Sequence, residues 1–375
     1  MNPPTESEPP EQFPEQGPSS AALEIRFSSE ADDVARDAFV HAHPRGTLFH
    51  DSRWRRVVNR VFGHLGREII AQRDGRIVGV LPMMRVSALP SGANLVSMPY
   101  AVYGGPLGED LAIEQALVDQ AVAEARQIGV GRLELRSREP LGDVLGATEQ
   151  DRARFQGSTL YHTFIRDLPE DPAEVLQRMP KKARAEARKA RNRHKLELVE
   201  GRWYVDDLYR MFVENKRQLG SPALPADLFR QLLSFFGNDA YVHLVRQGRA
   251  PKAAVMSFAF EDTLVAYYSG TLPGADREVS ASNFMYMALQ EWACERGFTK
   301  FDFCRSRGDS GAFQFKLHQG FEPAPLDYQY LCVRKQGLPG LTPSNPRTKI
   351  LRDVWSKLPR GAVEMLSPAI SRYLS

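Results

Sequence analysis

Along the chain, apolar and polar positions alternate as in strands and then recur at helical spacing, in an order that is run through twice. From Phe62, FGHLGREIIAQRDGRIVGVLPMMRV predicts strand, Asp-Gly turn and strand. From Phe236, FGNDAYVHLVRQGRAPKAAVMSFAF has the same grammar, with Gly248 near the turn. A further strand follows each hairpin, at Asn94–Tyr100 and at Leu264–Ser269. Helical periodicity comes next, over Ala112–Ile128 and Ser282–Glu295. Each helix stops at a glycine, Gly129 or Gly297, the residue that a left-handed C-cap favours. Both copies then enter a strand ending in Arg-Ser, at Leu133–Ser137 and Phe301–Ser306. This shared order predicts a duplicated α/β (α+β) domain, each copy a mixed central sheet flanked by helices.

The same pattern sets the boundaries. Residues 1–20 hold six Pro and four Glu with almost no aliphatic content, so a disordered tail is expected. Order begins with the alternating stretch Leu23–Phe27. The copies join near Arg166–Pro172, which predicts a first domain over 21–167, a second over 168–335 and an extension over 336–375. Helices follow the join at Pro180–Lys195 and Val205–Leu219. In the extension, Thr348–Leu358 places Ile350, Leu351, Val354, Trp355 and Leu358 on one face. That face packs on the body, or meets anionic lipid with Lys349, Arg352 and Lys357 as a peripheral membrane contact.

Composition changes the picture in one place. The 375 residues carry 49 Lys and Arg against 46 Asp and Glu. Between Arg178 and Lys195, however, nine basic residues meet only Glu186, so this window is +8 and the remainder −5. A chain coated throughout with positive charge is excluded, and one basic segment on a slightly acidic body is indicated. Three cysteines without a C-x-x-C pair give neither a disulfide framework nor a zinc ribbon. No apolar run approaches the ~20 residues of a spanning helix, and the acidic, Pro-rich start lacks the features of a signal peptide. A cytoplasmic location is the expectation, with the inner membrane face as a place of work. The eight histidines form no ligand set, so no metal is expected. Nucleophile elbow, P-loop and dinucleotide fingerprint are all missing.

Three segments carry candidate chemistry. In the basic helix, Ala183, Ala187 and Ala190 make a narrow face suited to close packing, and Lys181, Arg184, Arg188 and Arg191 stand beside it. Such a stripe is either a solvated face or a binding site for phosphate or nucleic acid. In FDFCRSRGDSGAFQFKLHQGFEP (Phe301–Pro323) a strand enters a glycine-bearing loop and then a short helix. Lys316, between Phe315 and Leu317, is placed to hold a phosphate or a developing oxyanion, or else snorkels from an apolar face. Asp302 and Arg305 straddle the strand end, where a structural ion pair is the common explanation and a place in the site the other. In the third segment, Leu95–Leu107, Gly104-Gly105-Pro106 allows a sharp turn, and Tyr100 and Tyr103 line a cleft or fill core.

These residues resemble a known family. FHDSRW (Phe49–Trp54), VSMPYAVYGGPL (Val96–Leu107), KKARAEARKA (Lys181–Ala190), AAVMSF (Ala253–Phe258), FDFCRSRGDSGAFQFK and QGFEPAPLDYQY are similar to the FemAB-related proteins of exosortase/PEP-CTERM systems, on the FemABX side of the GNAT-like acyltransferases. The resemblance implies two tandem GNAT-like domains and an N-acyltransferase that moves an aminoacyl or acyl group onto an amine. The implied acceptor is a small-molecule or lipid-linked precursor of the cell envelope or an exopolysaccharide. It also implies that Lys316 stands at the reaction centre as a catalytic residue and that Asn283 and Tyr286 lie beside the substrate cleft; the residues themselves add Asp302 as a catalytic candidate and Arg305, Tyr100, Tyr103 and His318 as candidate substrate contacts. The basic helix would serve the phosphates of the donor, most simply a charged tRNA; acyl-CoA fits less well, because Arg307–Ala312 lacks the pyrophosphate loop, and no tightly bound cofactor is expected. Relatives show Trp-Gly-Phe-Glu-Pro where this chain has Gln319-Gly320-Phe321-Glu322-Pro323, so an aromatic wall is missing beside His318. The alternative from another class is a non-catalytic scaffold of an envelope system, using the same fold to hold an anionic partner.

Overall fold

The hairpin that begins near Phe62 turns at Asp74 and Gly75, whose φ values of 52° and 73° match the twist of a two-residue hairpin loop. Strands Ile69–Arg73 and Arg76–Leu81 flank it. Its counterpart turns at Gly248 (φ 59°), between Ala240–Gln247 and Ala250–Phe260. The computed structural model describes residues 22–88, 92–146, 149–334 and 346–373. The tail expected over residues 1–20 lies outside the described residues.

Each copy then builds a strand–helix–strand crossover between parallel neighbours. In the first, Gly92–Ser97 leads through the helix Leu111–Gln127 to Arg132–Ser137, with Leu95 opposite Leu133. In the second, Thr263–Thr271 leads through Ala281–Glu295 to Lys300–Asp302, with Thr263 opposite Lys300. Gly129 (φ 61°) and Gly297 (φ 81°) follow the two helices in the left-handed conformation that their position predicts.

The partition at residue 167 does not follow the sheets. Ile165–Asp167 pairs antiparallel with Lys300–Asp302 and forms the edge of the second copy's six-stranded sheet. Asp327–Cys332 returns to the first copy, where it inserts between Arg132–Ser137 and Phe155–Ser158 in the other six-stranded sheet. Each copy's sheet is thus completed by a strand from the other side of the join. The expected strand Phe301–Ser306 is also interrupted. The strand ends at Asp302 with one further backbone bond from Phe303 N to Phe164 O at 2.8 Å, Cys304 adopts φ 58°, and Ser306–Arg307 pairs with Tyr161–Thr163 in a small separate sheet.

One apolar core bridges the copies. Trp54, on the helix Ser52–Phe62, packs edge-on against Phe236, Phe258 and Tyr267 of the second copy. Two halves that share a core of this kind do not hinge freely, so the space between them is pre-formed. In the extension, the helix Pro346–Lys357 turns Trp355 towards this core with Leu358 just beyond its end, while Val354 faces solvent. Among the described residues no helix is long and apolar enough to cross a membrane, and no group of His, Cys, Asp and Glu is arranged to hold a metal.

Candidate functional site

The strand Lys300–Asp302 ends where the two copies meet, and the chemistry gathers at its end. Three residues later the chain has left the sheet, so the carbonyls of Phe303, Cys304 and Arg305 lack strand partners. Lys316, on the helix Gly311–His318, supplies them: its Nζ donates to the three oxygens at 2.5, 2.9 and 3.2 Å. An ammonium has three donors, and here all three are engaged. Lys316 therefore fixes the left-handed turn at Cys304, a conformation costing about 1–3 kcal/mol in a non-glycine residue, and it keeps a positive charge behind the turn. Burial pushes its pKa down to about 8, against the opposing pull of Cys304 and Asp302.

Asp302 faces the junction. One carboxylate oxygen accepts from the Cys304 N–H at 2.7 Å, and the Tyr103 hydroxyl donates to the other at 3.1 Å. Tyr103 also touches the Thr163 hydroxyl. Burial raises the Asp302 pKa above the usual carboxylate range. Tyr103 shifts the same way, through burial and then the charge of Asp302, and stays a neutral donor. Asp302, Tyr103, Phe49 and Val265 line a narrow space of about 50 Å³. Arg138, Ile165, Phe260, Thr263 and Lys300 line both that space and a cavity of about 510 Å³ between the copies. A buried carboxylate in a space next to such a cavity is a candidate proton acceptor.

Arg305 joins the copies from the other side of the turn. Its Nη1 donates to the Tyr328 hydroxyl at 2.7 Å, and its guanidinium lies 4.6 Å from the Tyr161 ring centre. Sequence reading missed its neighbour Lys216, half-buried on the helix Val205–Gln218. Burial and the charge of Arg305 lower the Lys216 pKa. Among the described residues no carboxylate forms an ion pair with either cation.

The remaining expected residues divide. Tyr286 donates to Ser269 Oγ at 2.9 Å and packs on Phe303, 4.2 Å between ring centres, so it borders the site. Asn283 accepts from Gln319 Nε2, which fills the place of the missing aromatic wall with a polar link between two helices. The Tyr100 side chain lies elsewhere. Left-handed φ values at Met98 and Tyr100 turn the chain there, and the ring stacks on Phe62 with its hydroxyl donating to Ser371 O at 3.1 Å. His318 is exposed on the outer face of its helix.

The basic helix, observed over Lys181–Asn192, buries Ala183, Ala187 and Ala190 towards Ala281–Glu295. Arg191 is used up in an ion pair with Glu291, and Arg184 donates to Gln177 O at 3.1 Å. Lys181 and Arg188 are exposed and have no ion-pair partner among the described residues. The N-terminus of the neighbouring helix is already occupied by an acid, since Asp276 accepts from Ser282 N and Oγ at 2.7 and 2.9 Å. That leaves poor room there for a second anion.

At the mouth of the large cavity, His41 lies 3.5 Å from Asp51 and 2.5 Å from Glu261, a link between copies with no sequence signal. The Asp51 bond foremost, then Glu261, raises its pKa to about 9 against the cost of burial. A raised folded-state pKa gives stability that is complete below pH ~6.5 and lost as pH rises through ~9. Thermal melts of wild type and His41→Gln are expected to converge over that interval, by about 1 kcal/mol or less because solvent screens the pair.

Comparison with known proteins agrees with this architecture. Residues 177–317 match the family model described as the acetyltransferase (GNAT) domain. No curated protein matches the chain in sequence. Among solved structures, FemX superposes with a TM-score of 0.62 at 16% identity, covering 82% of this chain and 96% of that one. The C-terminal domain (DUF2156) of a protein from Agrobacterium fabrum, provisionally assigned as a lysylphosphatidylglycerol synthetase, gives 0.52 at 14% identity, covering 91% and 97%. A tandem GNAT protein from the clavulanic acid biosynthesis pathway gives 0.51 at 14% identity, covering 84% and 100%. The chain is folded as two tandem GNAT-like domains, with its polar cluster at their junction.

Proposed function

We propose that this protein is an N-acyltransferase that moves an aminoacyl or acyl group onto an amine of an envelope-related acceptor. The observation that carries the reading is Asp302, a buried carboxylate in the space beside the cavity that accepts from Tyr103 and the Cys304 N–H, with Lys316 holding the turn behind it. In the reaction an acceptor amine attacks the donor's ester carbonyl. The C–N bond forms and Asp302 takes the proton that the nitrogen sheds; the C–O bond to the carrier then breaks as that proton passes to the departing oxygen, which leaves as the carrier's hydroxyl and returns Asp302 to its ionised form. Binding both partners in one pre-formed cleft supplies proximity, and the fixed positive charge favours the developing oxyanion. Envelope work is supported by likeness to FemX and to a domain provisionally assigned to lipid lysylation. A polysaccharide or exosortase-linked acceptor rests on the sequence resemblance.

A charged tRNA is the proposed donor. Exposed Lys181 and Arg188 offer phosphate contacts, whereas Asp276 already fills the adjacent helix N-terminus where a pyrophosphate would seek amides. Filter binding tests this. Wild type is expected to retain tRNA at low salt and release it as salt rises, and Lys181→Ala with Arg188→Ala to reduce the salt slope by about 2. Absence of binding at low salt rejects the tRNA donor and reopens acyl-CoA.

A further inference from the structure

The C-terminal helix Arg360–Ser371 is turned the wrong way for a helix that only completes a core. Towards the body it buries Val363, Ser367 and Ser371. Outward it exposes Met365 (74%), Leu366, Ala369 and Ile370, with Tyr373 one turn beyond Ala369. Burial of apolar area favours rolling the larger apolar side chains inward. Polar anchors prevent that roll. Ala223 N donates to Ser367 Oγ at 3.0 Å, the Tyr100 hydroxyl donates to Ser371 O at 3.1 Å, and Arg372 Nη2 reaches Phe62 O at 3.4 Å. Val354 on the preceding helix and Leu219 beside it, whose carbonyl accepts from Arg352, are exposed as well. Of the twelve large apolar residues exposed in the described structure, five lie on this short C-terminal segment, which makes it a patch and not scatter.

The charge around the patch identifies its occupant. Residues 346–373 contain six Lys or Arg and two acids, a net charge of +4. Arg352, Lys357, Arg360 and Arg372 are exposed, and Arg360 pairs with Glu364 at 3.2 Å. We infer that the helix Arg360–Ser371 docks this protein on an anionic lipid surface, with Met365, Leu366, Ile370 and Tyr373 entering the interface and the surrounding basic residues meeting headgroups. A second copy of the chain is the competing occupant and fits less well. The stripe is about 18 Å long and one helix wide, short of the roughly 800 Å² per partner of a stable dimer. A two-fold interface would also bring the +4 segment against itself. Docking is independent of what the cleft transfers.

Flotation of the full-length protein with vesicles tests this. Wild type is expected to float with phosphatidylglycerol-containing vesicles, to detach as salt rises and to ignore pure phosphatidylcholine. Met365→Asp with Ile370→Asp, in a variant whose thermal melt matches wild type, is expected to weaken binding at least ten-fold. Lys181→Ala with Arg188→Ala is expected to float as wild type does. The inference is overturned if wild type does not float, or if the double Asp variant still does. It is equally overturned if the basic-helix variant alone loses binding, or if light scattering finds a wild-type dimer that the double Asp variant dissociates.

Discussion

Asp302→Asn lowers transfer by about 10²–10⁴-fold, the range lost when a positioned general base is removed. Asparagine is nearly isosteric. It keeps an oxygen for the Cys304 N–H and a polar partner for Tyr103, so the turn at Cys304 stays in place. What it lacks is the capacity to take a proton at cleft pH. Stability moves the opposite way. A buried carboxylate whose pKa is raised holds its proton more tightly folded than unfolded, so stability falls as pH rises from ~3.8 through the folded value. Asparagine escapes that loss, and the variant should melt no lower than wild type at pH 7. Reduced rate with undiminished stability separates a catalytic group from a structural one. The measurement is single-turnover loss of the aminoacyl group from charged tRNA in the presence of an amine acceptor, paired with a thermal melt. An unchanged rate removes Asp302 from the chemistry.

The sequence made the duplication legible because its signals are local. Hairpin alternation, a helical period and a glycine at each helix end recur within about 80 residues in both copies. Strand exchange carried no such signal. Asp327–Cys332 alternates like any edge strand, and nothing within it states that Arg132–Ser137, almost 200 residues earlier, is its neighbour. The site divides along the same line. Lys316, Asp302 and Arg305 stood out through one motif and do converge on one turn, although Lys316 spends its donors on backbone carbonyls and not on an open pocket. Lys216, His41 and Thr163 come from unremarkable stretches and gain their setting only when the copies pack. Tyr100 and Tyr103 look equivalent in sequence, yet positive φ at Tyr100 sends one ring to the C-terminal helix and leaves the other at Asp302.

Lys316→Met is expected to lower transfer at least 10²-fold and to destabilise the fold. Methionine retains the apolar stem but donates nothing. The carbonyls of Phe303, Cys304 and Arg305 lose their shared donor, at about 1–3 kcal/mol for each buried acceptor left unsatisfied. The strained residue Cys304 then relaxes and takes the Asp302 carboxylate with it, since the Cys304 N–H is one of its two partners. A stability loss alone does not show that the charge acts in the reaction, so pH provides the decisive reading. With Lys316 titrating at about 8, a reaction that needs the ammonium slows as pH climbs past that value. Asp302 shapes the acid limb in the opposite sense, because its ionised form is the base, and the rate profile becomes a bell. Titration of Lys316 does not itself unfold the protein. A lysine whose pKa is depressed from 10.5 binds fewer protons folded than unfolded between about 8 and 10.5, so its contribution makes stability rise with pH there. A rate that falls above pH 8 in wild type, with no alkaline limb in the residual activity of Lys316→Met, identifies the charge itself. A wild-type rate that stays level from pH 7 to 10 leaves Lys316 as a pin for the turn at Cys304 and nothing more.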